Sequence, residues 1–232
     1  MNFNFNAVAA KSQNVAGKPE LSGNAIHTVL FKGCESKDIE KDGITWKVLT
    51  INFENKDGKF QKTYFEPKDP DNQPNIMEFG DTKITNPSNV MDMMFVFKHL
   101  IDAVNPVLST EINEGKKQIT APNWDILRQF MVKATESGID KETKIKLFKS
   151  KKGDAVFPRA AAFNREGEIY MRTNFIGDNI FFSKKEMEQI KKAEETKPDT
   201  IESTETKTDQ KEVVNPYNNV SASDLGDLNF QL

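Results

Sequence analysis

The sequence predicts a mainly β protein of the α+β class, folded as a five-stranded barrel with a helical insertion. Three strand patterns come first in the chain, a helical stretch follows them, and strands in hairpins come after it. The 232 residues include 17 Phe and 8 Met, which supply enough apolar volume for one core of medium size. This order of elements is typical of a Greek-key barrel, and other α+β folds are also compatible with it.

Three strands are predicted in the first third of the chain. Apolar runs and the alternation of apolar with polar residues place them at 25–32, 45–53 and 60–65. Residues 54–59 between the second and third strands have the composition of a turn. Gly58 in this turn is free to adopt a positive φ.

The second strand has the clearest alternation in the chain. Leu49, Ile51 and Phe53 share one face, and we expect that face to point into the core. Trp46 and Val48 lie on the other face. Since the tryptophan ring carries a polar N–H suited to a wet surface, we expect Trp46 to be exposed.

Two helices are predicted after a proline-rich segment, 66–87, that we expect to be mostly loop. Ser88 can cap the first helix, which extends to Val104. Its expected buried face carries Met91, Met94, Phe95 and Ile101. The second helix covers 123–137 and ends at Gly138. Its apolar residues recur at helical spacing, namely Ile126, Leu127, Phe130, Met131 and Ala134.

The last third of the domain returns to strand patterns. Strands are predicted at 144–148, 155–163 and 168–172, with a turn at Lys152–Gly153 between the first two and another at 164–167 before the third. A short extended piece, 180–182, follows. Ser183 and Glu186 then form a capping box that opens a helix ending near residue 193.

These elements divide the chain into three parts. Residues 1–25 form a flexible arm, 26–193 an OB-like domain with its helical insertion at about 88–137, and 194–232 a disordered acidic tail. The tail holds nine acidic and three basic side chains, a net charge of −6, while the whole chain carries −3. The body is therefore +3. Such asymmetry is typical of proteins that bind polyanions, and a solvated body with a solubilising tail is equally compatible with it.

Composition argues against several classes of protein. Cys34 is the single cysteine, so neither a disulfide framework nor a multi-thiolate metal site is expected. His27 and His99 are the two histidines, and His99 falls in an apolar helix where we expect it to be packed. The N-terminus lacks the pattern of a signal peptide, and no apolar run is long enough for a membrane span. We therefore expect a soluble protein of a reducing cytoplasm, with no metal, cofactor or membrane partner.

The second and third strands combine aromatic with basic side chains. Unpaired nucleic acid is held by rings that stack on bases and by cations that follow the phosphates. The candidate contacts are Trp46, Lys47, Phe60, Lys62 and Tyr64. Burial in the core is the alternative for each ring, and it is the better expectation for any single phenylalanine.

A second basic segment follows the helices. Five lysines alternate with apolar residues and predict a row of ammonium groups along one strand face, namely Lys144, Lys146, Lys149, Lys151 and Lys152. Arg159 and Arg172 fall on the strands that come next. A charged sheet edge that prevents aggregation is the alternative interpretation of such a row.

The end of the tail, 221–232, differs from the rest of it, because apolar residues return among the acids. A tether with a small amphipathic tip is typical of a partner-docking device. The tip contacts we expect are Asp224, Asp227, Leu228 and Phe230.

A family resemblance follows from these residues. Asp227–Phe230 is similar to the last four positions of the tip Asp-Asp-Asp-Ile-Pro-Phe of bacterial single-stranded DNA-binding proteins. With its aromatic, basic β body and acidic tail, the chain resembles the single-stranded DNA-binding proteins of bacteria and their phages, and its helices make it more similar to divergent phage versions. The resemblance implies that Phe230 anchors replication and recombination proteins, with Asp227 in an acidic rim.

The expected function is therefore sequence-independent binding of single-stranded DNA, in the host cytoplasm if a phage encodes the protein. A second copy of the chain is a further candidate partner. The alternatives are a virion structural or cargo protein and, from the spacing of Glu142 and Lys144, a Mg²⁺-dependent nuclease. Since phosphate-loop, HExxH and Gly-x-Ser-x-Gly patterns are missing, we expect no catalytic residues.

Overall fold

The structure, a computed structural model, describes residues 18–79 and 82–195. The strands in these ranges are β1 (Ala25–Lys41), β2 (Ile44–Glu54), β3 (Lys59–Phe65), β4 (Asn75–Phe79), β5 (Thr82–Asn86), β6 (Glu142–Lys149), β7 (Ala155–Val156), β8 (Ala161–Phe163) and β9 (Ile169–Met171). The α-helices are α1 (Asn89–Val104), α2 (Pro106–Asn113), α3 (Trp124–Thr135) and α4 (Lys184–Glu195).

Five of these strands form one curled antiparallel sheet in the order β3-β2-β1-β6-β7. The long strand β1 belongs to both halves of it, because Ala25–Leu30 pairs with β6 and Leu30–Lys41 pairs with β2. The register shifts between Phe31 and Gly33, where Gly33 has a φ of 103°. A bulge of this kind bends a strand and increases its twist. The result is a half-barrel, mostly of strands, that is compatible with an OB-like fold.

The concave face of the sheet holds the core. Leu49, Ile51 and Phe53 are each at most 1% exposed, which confirms the predicted inward face of the second strand. They pack in one cluster with apolar residues of α1 and with Phe157 and Phe175. Three aromatic rings meet there, with Phe53 and Phe60 both edge-on to Phe157 at centroid distances of 6.2 and 4.8 Å. The helices therefore close the half-barrel on its inner side.

The predicted cap at Ser88 is confirmed, and the structure adds a cap at Asn123. The Ser88 hydroxyl accepts a hydrogen bond from the Met91 N–H, and Asn123 caps α3 in the same way. The predicted buried face of α1 is wrong in part, since Met91 and Met94 are 37% and 40% exposed. The buried set instead centres on Val96, Phe97 and Leu100. These residues lie opposite the ion pair Lys98–Asp102, which marks the solvent side of α1 on which Met91 and Met94 also fall.

Three further expectations about elements are corrected. Segment 66–87 is not mostly loop, because it contains a 3₁₀ turn at Asp69–Asn72 and the β4–β5 hairpin, which prolines flank rather than interrupt. A third helix, α2, starts directly at Pro106, where proline needs no hydrogen bond for its nitrogen. The predicted strand 155–163 is two short strands, β7 and β8, separated by a loop.

Gly58 serves close packing rather than a positive φ. The N–H of Leu21 donates to the Lys59 carbonyl, and the Lys59 N–H donates to the Pro19 carbonyl, both at 2.8 Å. A Cβ on Gly58 would lie 2.6 Å from that Pro19 oxygen. The segment 18–21 thus covers the start of β3. The remainder of the predicted arm and the tail from residue 196 onward lie outside the described residues.

Within 18–79 and 82–195, the structure contains no helix of the length and apolarity needed to cross a membrane.

Candidate nucleic-acid interface

Two adjoining cavities line the open side of the half-barrel and share Pro158 and Arg159 in their walls. The first, about 230 Å³, lies between β3, the start of α1 and residues 157–159. The second, about 480 Å³, lies between Pro158–Arg159, the residues 170–174 in and after β9, and the segment 179–186. We call the two cavities together the groove. β3 is an edge strand of the sheet, and segment 18–21 covers only its start, at Lys59.

The first cavity presents Lys62 and Tyr64 from β3. Their cross-strand partners Ile51 and Leu49 point into the core, so both side chains start inward and reach the opening half-buried. The Tyr64 ring packs edge-on against Phe97 at 5.1 Å, and the Lys62 ammonium lies 5.5 Å from the centre of the Tyr64 ring. Burial lowers the pKa of Lys62 and raises the pKa of Tyr64 well above its ordinary value.

Asp92 of α1 also lines the first cavity, and its negative charge acts on both Lys62 and Tyr64. It accepts hydrogen bonds from the backbone N–H groups of Ala160 and Ala161 at 2.7 and 2.9 Å. Burial raises the pKa of Asp92, and the charge of Arg159 acts in the opposite direction. These bonds tie α1 to the chain at β8, so Asp92 holds the two walls of the first cavity together.

Arg159 stands between the two cavities. Its guanidinium donates to the Asn89 side chain at 3.3 Å and to the Pro87 carbonyl, which fixes it beside the start of α1. Pro158 interrupts strand pairing there, and the Arg172 N–H donates to the Ala160 carbonyl at 2.7 Å. Arg159 and Arg172 are thereby placed in neighbouring segments, as the sequence-based hypothesis required, although both lie outside the strands themselves.

The second cavity combines exposed rings with cations and amides. Tyr170 and Phe181 are 41% and 72% exposed, and Lys185 is exposed at the start of α4. Arg172 and the side chains of two asparagines complete the wall, Asn174 and Asn179. Sequence reasoning missed Tyr170, Phe181 and Lys185. The only indication of these residues in the sequence is that aromatic and basic side chains occur close to Arg172. They are spread over short segments in which apolar and polar residues follow no clear periodicity.

A buried ion pair supports the wall of the second cavity. The Lys146 ammonium, whose side chain is 1% exposed, donates to both oxygens of Glu186 at 2.9 and 3.1 Å. It also donates to the Thr173 hydroxyl at 2.7 Å and to the Phe181 carbonyl at 3.1 Å. Burial opposes ionisation of Glu186, but hydrogen bonds from Lys146 and Ser183 outweigh it and lower the pKa of this carboxyl.

The expected row of ammonium groups on β6 is therefore wrong at Lys146. This side chain shares a strand face with Lys144, but the segment 173–186 covers it, and its ammonium lies 5.8 and 5.5 Å from the ring centres of Phe148 and Phe182. It therefore cannot meet a phosphate. Lys144 is exposed and donates to the Asp178 carbonyl at 3.3 Å, and Lys149 is exposed at the strand end. The others, Lys151 and Lys152, are exposed in the turn before β7.

The aromatic residues of the β2–β3 hairpin separate into three environments. Phe60 is 5% exposed in the core, so the expectation that it contacts bases is corrected: it has no free ring face. Tyr64 lines the groove. Trp46 lies half-exposed on the convex face, edge-on to Phe65 at 5.7 Å, with the Lys68 ammonium 5.7 Å from its ring centre. Phe65 also lines the first cavity, so this cluster borders the groove.

The hairpin rings and the β6 lysines do not share one trough. Trp46 lies opposite Ile39 of β1, whereas Lys146 lies opposite Ile26, thirteen residues earlier on the same strand. That separation is roughly 40 Å of strand length. Lys47 is also engaged elsewhere, since its ammonium bonds to Asp125 of α3 at 2.5 Å. The groove therefore keeps four of the predicted contacts, which are Lys62, Tyr64, Arg159 and Arg172.

The remaining candidates are not gathered into a site. Glu142 and Lys144, of the nuclease alternative, are exposed on β6. Across 18–79 and 82–195 there is no cluster of three or more histidine, cysteine or carboxylate side chains suited to a metal ion. His99 is buried, as expected, with its ring edge-on to Phe175 at 4.9 Å. The predicted tip residues fall outside the described ranges, namely Asp224, Asp227, Leu228 and Phe230.

Neither the family models, nor the curated proteins, nor the solved structures contain a match to this chain.

Proposed function

We propose that this chain is a non-enzymatic protein that binds single-stranded DNA without sequence preference through an OB-like barrel. The topology supports the proposal. Three antiparallel strands β1–β3 are followed by helices, and β6 then returns to pair with the first half of β1. OB folds are partly open five-stranded barrels that bind oligonucleotides on the face of their second and third strands. The third strand, β3, borders the groove here.

The observation that carries the proposal is the groove itself, in which rings and cations alternate along a concave path. Lys62 and Tyr64 lie at one end, Arg159 in the middle, and Tyr170 with Arg172 at the other end. Single strands are held by stacking on aromatic rings, which contributes about 1–3 kcal/mol per base, and by cations along the backbone. Both kinds of side chain occur in each cavity.

The positive charge of the groove is concentrated in its second cavity, where Arg159, Arg172 and Lys185 share the wall with one carboxylate, Glu186. Asp92 is bonded to two backbone N–H groups, and Glu186 is paired with Lys146 inside the protein. Asp71 accepts from the Lys68 backbone N–H at 2.8 Å. Glu66 lines the first cavity as well, so three carboxylates stand there beside Lys62 and Arg159, and it is Lys185 with the arginines of the second cavity that supplies the charge a phosphate backbone would meet.

Unpaired bases fit the proposal better than duplex. Tyr64 is half-buried in a concave opening, and a stacked base pair presents no free ring face to such a side chain. The physiological role we propose is to coat exposed strands in phage replication or recombination. Residues 221–232 would recruit the partner proteins.

A titration of fluorescently labelled oligo-dT at two salt concentrations tests the proposal, with anisotropy as the readout. We expect binding that weakens as salt rises, because bound cations release counterions from the strand. Lys185→Gln should weaken binding and reduce the slope of log K against log salt by about 0.7. Lys133→Gln is the matched control, since Lys133 is also an exposed helix lysine but lies outside the groove.

Two outcomes would contradict the proposal. Preference for duplex over oligo-dT would favour a virion protein that touches packaged DNA. Equal effects of Lys185→Gln and Lys133→Gln would show that general charge, rather than the groove, attracts the strand.

A further inference from the structure

Phe181 has an unusual combination of an exposed ring and a fixed backbone. Its side chain is 72% exposed, compared with 41% for Tyr170 and 37% for Phe65. Exposed phenylalanine is unfavourable in water, since each square ångström of apolar surface left in solvent forgoes about 25 cal/mol of stabilisation. Most of this ring is therefore left available for contact with a ligand.

The backbone on both sides of that ring is held by buried groups. The Phe181 carbonyl accepts from the Lys146 ammonium at 3.1 Å. The next ring, Phe182, packs edge-on against Phe148 at 5.4 Å, and the Ser183 N–H donates to Glu186 at 2.7 Å. The Phe181 side chain therefore projects from a backbone that is fixed before any ligand arrives.

Lys146 organises this arrangement from the sheet. A single ammonium bonds to Thr173, Phe181 and Glu186, so it gathers both ends of the segment 173–186 around one atom. Burying a lysine is unfavourable unless it is paired, and an apolar pair of similar volume would often be at least as stable. A positioning role therefore explains the residue better than stability alone.

The surroundings of the Phe181 ring indicate an unpaired base as its ligand. Phe181 lines the second cavity with Tyr170, and Arg172 and Lys185 stand in the same wall. A flat apolar face beside cations suits a nucleobase whose phosphates lie within reach of those cations. A purely apolar partner would gain nothing from the arginine and the lysine.

We infer that Phe181 is a stacking site for one unpaired base and that Lys146 is the positioning residue that holds it in place. This inference rests on the proposed function, which it extends to a specific contact and its support. Preorganisation of this kind lowers the entropy lost on binding, because the ring and its backbone are ordered beforehand.

Stacking is tested by comparing oligo-dT with an abasic oligonucleotide of the same length at one salt concentration. We expect Phe181→Ala to weaken binding of oligo-dT by about 5- to 150-fold and to leave binding of the abasic strand unchanged. Phe181→Tyr should bind like the unchanged protein. Val107→Ala is the matched control, because Val107 is 71% exposed on α2, away from the groove.

The positioning role is tested by Lys146→Met and its combination with Phe181→Ala. If Lys146 acts through Phe181, Lys146→Met weakens oligo-dT binding, and the double variant binds no worse than Phe181→Ala alone. Circular dichroism and thermal melting establish that each variant is folded. Lys146→Met/Glu186→Gln, which removes the ammonium and leaves no buried charge, replaces Lys146→Met if that variant does not fold.

The outcomes separate the two proposals. If the unchanged protein binds oligo-dT and Phe181→Ala binds it equally well, the stacking inference is overturned and the proposed function stands. Additive losses in the double variant would overturn the role of Lys146 alone. If the unchanged protein binds neither strand, the proposed function fails and the inference fails with it.

Discussion

Residues that occupy equivalent positions in a sequence pattern can differ in how deeply their side chains are buried. Phe60 and Tyr64 occupy alternate inward positions on the same strand, yet Phe60 is sealed in the core and Tyr64 reaches the groove. Their alternation predicts the face on which each ring lies, because the side chains of a strand alternate. It does not predict where the sheet is open, since that depends on the helices packed against it. This is why the sequence identified Tyr64 but misplaced Phe60.

His99 is a buried titratable group whose effect can be measured. Burial lowers its pKa from 6.5 to about 4, Asp102 acts against this shift and Lys98 adds to it. The unfolded chain takes up a proton near pH 6.5 while the folded protein does not, so stability falls as pH drops from 6.5 towards 4. The loss attributable to this one residue is about 2–3 kcal/mol.

We therefore predict that His99→Gln has a weaker pH dependence of unfolding than the unchanged protein. The measurement is urea denaturation at pH 7.5 and pH 4.5. The difference in free energy between the two pH values should shrink by about 2–3 kcal/mol in the variant. The substitution itself changes the free energy of unfolding at both pH values, and taking the difference between the two pH values removes this contribution. An equal difference in the variant and in the unchanged protein would contradict a neutral, buried His99.

The burial of Lys146 could not be predicted from the sequence around it. This lysine stands in a lysine-rich strand and has the same surroundings in sequence as the exposed Lys144. What buries it is a partner 40 residues later, Glu186, together with Thr173 and the Phe181 carbonyl. No local pattern carries that information, although the capping box at Ser183 correctly placed Glu186 at a helix start.

Among the secondary-structure elements, helix starts could be predicted where a side chain within the same short segment caps the helix. The caps at Ser88 and Asn123 and the box at Ser183 each use a side chain and an N–H three residues apart, so the sequence contains the whole interaction. The sequence analysis does not predict α2, because a proline directly after a helical pattern indicates the end of that helix. Proline also suits the first turn of the next one.

The attachment of α4 to the sheet is an element-scale property that mutation can test. Breaking a buried ion pair by removing one partner leaves the other charge unpaired, which costs about 3–5 kcal/mol. We predict a loss of this size for Lys146→Met in urea unfolding at pH 7. Lys146→Met/Glu186→Gln should recover most of it, since no charge is left buried and Gln can still accept from the Ser183 N–H.

The matched control for this series is Lys98→Met. Lys98 pairs with Asp102 four residues away on α1, and both side chains are about one-third exposed. Exposed pairs of this spacing contribute about 0.3–0.5 kcal/mol, so the variant should unfold almost like the unchanged protein. A double variant no more stable than Lys146→Met would show that volume, rather than charge pairing, matters at this site.

For the whole molecule, the path of β1 decides where the groove lies. The shift at Gly33 lets one strand pair with β2 and with β6, and the sheet curls around the core as a result. The sequence predicted the first strand only to residue 32, so its second half and the bulge were not anticipated. Pairing between residues more than 100 apart, such as Ala25 with Leu147, has no signature in local alternation.

Charge is also a property of the whole chain. Glu194 and Glu195, counted with the acidic tail in the sequence-based division, belong to α4. Residues 196–232 hold seven acidic and three basic side chains, a net charge of −4, so the chain without them would change from −3 to +1. At 0.1 M salt, charges act over about 10 Å.

We predict that a chain ending at residue 195 binds oligo-dT as tightly as the full chain or more tightly. Removing negative charge lowers repulsion of the phosphates, and any gain should shrink as salt is raised from 0.05 to about 0.2 M because screening increases. Anisotropy titrations of both chains measure this, with urea unfolding as the check that the shorter chain is folded. Weaker binding by a folded shorter chain would mean that residues 196–232 contribute contacts to the strand, and the tail would then be part of the DNA-binding surface rather than a separate partner-docking segment.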